Sequence, residues 1–221
     1  MNADEVLATL RKLGKKQTAE IYKRHGAGDN VYGVLTADIA KIQKKLKTDH
    51  ALATALWKTG NAEARILALQ TADPARLTTG DANGFLDTPN SHFYAYYLGH
   101  LVARSPIADE IMQSWMKASQ ESVREAGYTL LFNRLRHDAA SIGDADAGKV
   151  LTTIEKEIHR SPNRARNAMN LALIAIGSFK ASLRKKALEA AERIGKVEVD
   201  HGETNCKTPD AAAAIKKAAK R

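Results

Sequence analysis

Residues 161–196, SPNRARNAMNLALIAIGSFKASLRKKALEAAERIGK, decide the fold. Ser161 is a favoured N-cap residue and Pro162 suits the first helical position. Ala165, Ala168, Met169, Ala172 and Ile176 then recur at helical spacing, so one face is apolar. Gly177 and Ser178 predict a stop. Residues 182–194 repeat the pattern through Leu183, Ala187, Leu188 and Ala191, which makes the stretch a helical hairpin. Its charge is one-sided. Between Ile158 and Leu188 there is no Asp or Glu, while Arg160, Arg164, Arg166, Lys180, Arg184, Lys185 and Lys186 all fall there. Such a run is either a solvated helix face or a surface for a polyanion.

Composition extends the helical reading to the whole chain. Hydrophobic residues make up 44% of the 221 but aromatics only 5%, so alanine and leucine carry the apolar load. That composition suits close helix packing better than a β-sandwich. A formal net charge of +9 favours an acidic partner, nucleic acid first and an anionic membrane surface second. No apolar run is long enough to span a bilayer, and the N-terminus, MNADEVLATLRKLG, does not read as a secretory signal. The single cysteine, Cys206, has no intrachain partner, which fits a reducing, cytoplasmic location.

Outward from the hairpin, residues 3–13 and 15–25 read as helices, residues 26–34 as a loop, and residues 35–46 as a helix opened by Thr36 and Asp38. Lys41, Lys44, Lys45 and Lys47 make one side of that helix positive. Residues 52–57 form a short helix and Asn61 caps the next. Residues 78–87, 91–103, 107–118 and 120–137 follow as helices, residues 141–147 as a loop, and residues 148–159 as the helix entering the hairpin. Residues 197–207 are non-helical, and Thr208-Pro209-Asp210 restarts a last helix. The pattern predicts about a dozen helices, paired at roughly forty residues, as in a HEAT-like solenoid. The expected organisation is one helical-repeat domain over residues 1–221, with residues 197–221 packing on it. A compact helical bundle is the alternative.

Three groups of residues are candidates for function. The basic spans around Arg11, Lys12, Lys15 and Lys16, residues 41–47 and residues 160–186 would line a groove for a phosphate backbone if the solenoid gathers them on its concave side. Phe93, Tyr94, Tyr96 and Tyr97 place four aromatics within five residues. One helix cannot bury all four on one face, so at least one ring should look outward, where bases or sugars stack. His201, Glu203, Cys206 and Asp210 lie close in sequence, but lack paired metal-ligand spacing and predict no metal site. No phosphate loop, nucleophile elbow or zinc motif is present, and no cofactor is expected.

Several stretches resemble the AlkD-like DNA alkylation repair family of HEAT-repeat glycosylases. They are YGVLTADIAKIQKKL, LWKTGNAEARILALQ, SVREAGYTLL, RNAMNLALIAIG and, most specifically, KVEVDHGETNCKTPDA. The resemblance implies an all-α solenoid with a concave basic groove for double-stranded DNA, and excision of cationic alkylpurines. It places a DNA-contacting arginine on Arg124 and a groove position beside Asn170; with the basic helices, which supply Lys41, Lys44, Lys45, Arg164, Arg166, Lys185 and Lys186, these are the DNA-binding candidates. The family's catalytic aspartate is missing: its position falls on Tyr97, with Phe93 at the preceding aromatic, and residues 88–108 hold no acid. Tyr97 and Phe93 are therefore the catalytic candidates, and whether the chain is an enzyme stays open. The readings are an excising repair enzyme, a catalytically silent binder of branched or structured DNA, and a helical scaffold for an acidic protein. The protein is expected to act as a monomer.

Overall fold

A computed structural model describes residues 1–203 and 206–219. Thr204 and Asn205 of the tail segment, and residues 220–221, lie outside the described residues. The chain is all-α: thirteen α-helices joined by short turns, with no strand among the described residues. It divides into two compact units, Met1–Ile107 and Ala108–Arg221.

The first unit holds α1 (Ala3–Leu13), α2 (Lys16–Arg24), α3 (Thr36–Leu46), α4 (His50–Lys58), α5 (Ala62–Thr71), α6 (Thr79–Leu86) and α7 (Ala95–Val102). Its axis is α5, which packs against α1, α3, α4 and α7. The Asn61 side chain accepts from Ala64 N at 3.0 Å and starts the helix, as the sequence predicts. Eight of its ten residues are then buried. A helix enclosed on all sides has no solvent stripe to mark it, so its amphipathic signal is weak. Thr78 and Asp81 form a capping box at the start of α6.

The second unit holds α8 (Ala108–Met116), α9 (Glu121–His137), α10 (Asp144–Glu157), α11 (Asn163–Phe179), α12 (Arg184–Ile194) and α13 (Ala211–Ala218). Its axis is α11, the first helix of the hairpin, which touches α9, α10, α12 and α13. The predicted apolar face of Ala165, Ala168, Met169, Ala172 and Ile176 is buried throughout. Small residues let neighbours approach. A Cβ on Gly127 of α9 would lie 2.6 Å from Met116 N, so α8 crosses α9 at that notch.

Several local expectations give way to tertiary contacts. Gly177 does not stop α11: the helix runs on to Phe179, and Gly177 makes room for Ile215 of α13, whose Cδ1 would lie 2.6 Å from an added Cβ. Ser161 does not cap α11. Its hydroxyl donates to Glu157 O, and the orphan Arg164 N–H at the helix start donates to Glu121 of α9 at 2.7 Å. Residues 144–147 are the first turn of α10 rather than loop, with Asp144 and Asp146 suited to a helix N-terminus. Thr36 is the first residue of α3 and not its cap, and of the Thr208-Pro209-Asp210 run it is Asp210 that caps α13, accepting from Ala213 N at 2.7 Å.

Candidate nucleic-acid interface

In the first unit the aromatic segment is sorted by burial. A short 3-10 turn, Ser91–Phe93, precedes α7, so the four rings do not share one continuous helix. Tyr94 is buried against Trp57 at 5.6 Å, and the Arg65 guanidinium lies over both rings, 4.9 Å from Trp57 and 5.7 Å from Tyr94. Phe93 packs edge-on to Tyr22 and Tyr94, each at 5.6 Å. Tyr97 is half-buried. Burial, with Tyr22 and Tyr96 close by, pushes its phenol up to about 12, so it is neutral at physiological pH. Tyr96 alone of the four is exposed, at 45%. The catalytic candidates Phe93 and Tyr97 are thus a packing ring and a neutral phenol.

The same unit has a buried carboxylate that sequence reasoning missed. Glu63 is fully buried and accepts from the backbone N–H groups of Tyr32, Gly33 and Val34 at 3.1, 2.6 and 3.0 Å. It clamps the loop before α3 onto α5. Its only sequence signal was an acid inside an otherwise inward-facing alanine helix. On α3, Lys41 is paired with Asp38 at 2.9 Å, while Lys44 and Lys45 are exposed and engaged in no ion pair among the described residues.

In the second unit the basic residues fall into two classes. The first class is spent on the fold. Arg124 donates from Nε to Ala118 O at 2.9 Å, closing the end of α8. Its Nη1 lies 3.4 Å from Ser161 Oγ and 3.6 Å from Glu157, and the side chain is only 19% exposed. Arg166 donates from Nη2 to Ser161 O and from Nη1 to Glu198 O, both at 2.9 Å. Asn170 is fully buried and donates to Pro209 O at 2.9 Å, so it offers nothing to a DNA backbone, contrary to expectation. With Asn163, which accepts from Asp200 N at 2.8 Å and donates to Asp200 O at 2.7 Å, these residues form one ladder along α11. The ladder ties down the non-helical residues 196–203 and 206–210, many of which line a cleft of about 810 Å³. In the same segment His201 pairs with Thr208 at 2.9 Å, and no cluster of metal-ligating side chains occurs among the described residues.

The second class is open. Lys185 and Lys186, in the first turn of α12, are exposed and form no close ion pair among the described residues, although the charge of Lys186 reaches Glu155. That turn contains no acid. Cations at a helix N-terminus oppose the helix dipole, so helix stability does not account for them. Neighbouring Arg184 has a structural task, donating to Gly177 O at 3.1 Å and Ser178 O at 3.3 Å to finish α11. Near the start of α11, the carboxyl of Glu125 sits beside Arg164 and Glu121. Burial pushes it up to about 8, against the opposing pull of Arg164, and its Oε2 is buried with no hydrogen-bond partner.

A family model described as DNA alkylation repair enzyme matches residues 6–220. The chain belongs to this family. Two uncharacterised proteins, one from Listeria innocua and one from Listeria monocytogenes, are each 28% identical over 226 residues, spanning 99% of this chain and 97% of their own. A solved structure aligns with this family member over 100% of its length and 94% of the other chain, at a TM-score of 0.84 and 28% identity. That protein is described as one of a new family related to the HEAT-like repeat DNA glycosylases, with affinity for branched DNA structures. The all-α, HEAT-like fold expected from the sequence is therefore the fold of this alkylation repair family member. No helix among the described residues is long and apolar enough to cross a membrane.

Proposed function

We propose that this protein binds DNA and favours distorted or branched duplex, with the lysines of α3 and α12 contacting phosphates. The observation that carries the reading is the pair Lys185 and Lys186: exposed, and placed where the helix dipole makes them unfavourable for the helix itself. Lys44 and Lys45 are the matching open cations of the first unit. The solved relative with affinity for branched DNA supports the same partner. Phosphate contacts of this kind give binding that falls steeply with salt and depends little on sequence. Arg124 enters as a positioning residue: it holds the α8–α9 turn and the start of α11 in place, and its remaining exposed edge is small.

The test is the salt dependence of DNA affinity, measured by fluorescence anisotropy on a duplex and on a three-way junction. The double variant Lys185→Gln/Lys186→Gln should weaken binding to both and reduce the slope of log K against log[salt] by roughly 1 to 2. An unchanged slope would remove α12 from the interface.

Excision of alkylpurines is the second reading, favoured by the family match. It lacks a fixed negative charge at the aromatic segment, because Tyr97 is neutral and residues 88–108 contain no acid. Single-turnover release of 7-methylguanine from duplex DNA, with protein in excess, decides it. Release that is lost in Tyr97→Phe would establish the activity and its site. No release from folded protein would leave binding as the function.

A further inference from the structure

We infer that Tyr96 is a stacking platform for an unpaired nucleobase, the feature that separates a branch point from regular duplex. The inference rests on the DNA-binding reading and names what the aromatic segment contributes to it.

Three observations converge on this residue. Tyr96 is the one exposed ring of its segment, at 45% exposure, while Tyr94 is buried. Second, the exposed ring is braced. Tyr97 meets it edge-on at 5.5 Å and 84°, and His100, one helical turn along α7, meets it at 4.5 Å and 67°. An exposed side chain ordinarily samples several rotamers, and ordering it on binding costs conformational entropy. Two flanking rings remove much of that cost in advance, because the ring is already held where a partner would meet it.

Third, the electrostatic setting suits a nucleic acid. Residues 88–108 contain no Asp or Glu, so no carboxylate of this segment repels a phosphate that accompanies the base. The last turn of α2 packs on the segment through Tyr22 against Phe93 at 5.6 Å, and through His25, whose backbone oxygen lies 3.2 Å from His92 Nε2. That turn also carries Arg24 and Lys23, the latter paired with Glu20 at 3.5 Å and Asp29 at 3.9 Å. Aromatic stacking with nearby cations is the usual means of holding unpaired bases without reading their sequence, since every base has a π-face. A base in regular duplex is already stacked on both sides and gains nothing from the ring.

The test uses the full-length protein and two DNAs of matched sequence: a fully paired duplex, and a three-way junction with one unpaired 2-aminopurine at the branch. Wild type should bind the junction more tightly and quench the 2-aminopurine fluorescence as the base stacks. Tyr96→Ala should lose about ten-fold or more in junction affinity, together with the change in fluorescence, and bind duplex as wild type does. Tyr96→Leu, which keeps apolar bulk without a π-face, should behave like alanine. Tyr96→Phe should behave like wild type. Tyr96 is exposed, so the melting temperatures of the variants control for folding. Wild-type junction affinity and quenching in Tyr96→Ala would overturn the inference and leave DNA binding standing. Equal losses on duplex and junction would overturn it too, by making Tyr96 a general contact. Failure of the wild-type protein to bind either DNA would overturn the DNA-binding reading itself, and the platform with it.

Discussion

Replacing Glu125 by glutamine should change how stability depends on pH, with a sign fixed by the site. The Glu125 carboxyl ionises near 4.5 in the unfolded chain and near 8 in the folded protein. Between these values the folded protein holds a proton that the unfolded chain releases. Unfolding is therefore favoured by raising pH, and stability falls as pH rises from about 4.5 to about 8. The slope is at most about 1.4 kcal/mol per pH unit, and the whole window is worth at most about 5 kcal/mol. Above pH 8 both states are ionised and the loss is complete. Glu125→Gln keeps the shape of the protonated acid and cannot ionise, so its stability lacks this decline. The difference between variant and wild type should grow steadily from pH 5 to pH 8 and then level off. Arg164 and Glu121 flank the carboxyl, and their opposite effects are already contained in its position near pH 8. The assay is urea unfolding at each pH, followed by the fluorescence of Trp115, which is buried beside α9. A Trp57→Phe background removes the tryptophan of the other unit. A stability difference that stays flat from pH 5 to pH 8 would refute the reasoning. It would mean that the carboxyl is charged in the folded protein and solvated by a partner.

Three further outcomes are expected. Glu63→Ala leaves three backbone N–H groups without their acceptor in a fully buried position, and should cost about 3 kcal/mol or more in urea unfolding. Gly177→Ala should destabilise by about 1–3 kcal/mol in urea unfolding, because its methyl meets Cδ1, Cγ1 and Cγ2 of Ile215, all under 3.0 Å. Asn163→Ala removes both hydrogen bonds to Asp200, so trypsin should cut at Lys207 faster than in wild type while the melting temperature changes little.

Legibility from sequence followed the range of the interaction that fixed each feature. Asn61 announced its helix because a cap reaches only three residues ahead, to Ala64 N. The apolar face of α11 was equally plain, since a spacing of three and four residues is written in the chain. The crowding of Phe93, Tyr94, Tyr96 and Tyr97 also announced that one ring would be left outside. That the ring is Tyr96 was decided by the 3-10 turn at Ser91–Phe93, which sets α7 in its own register.

What only the tertiary structure decided was the role of polar and small residues, whose meaning depends on what arrives opposite them. Arg166 and Asn170 looked like the cations and amides of a DNA-binding face. The carbonyl oxygens of Glu198 and Pro209, far along the chain, claim both. Gly177 reads as a helix stop by itself, yet becomes a notch once Ile215 packs on it. Glu63 and Glu121 find their N–H partners 29 to 43 positions away in the chain. An apolar residue announces its environment by its own chemistry and period. A buried hydrogen-bonding group needs a partner whose identity is set by the fold, and no local pattern names it.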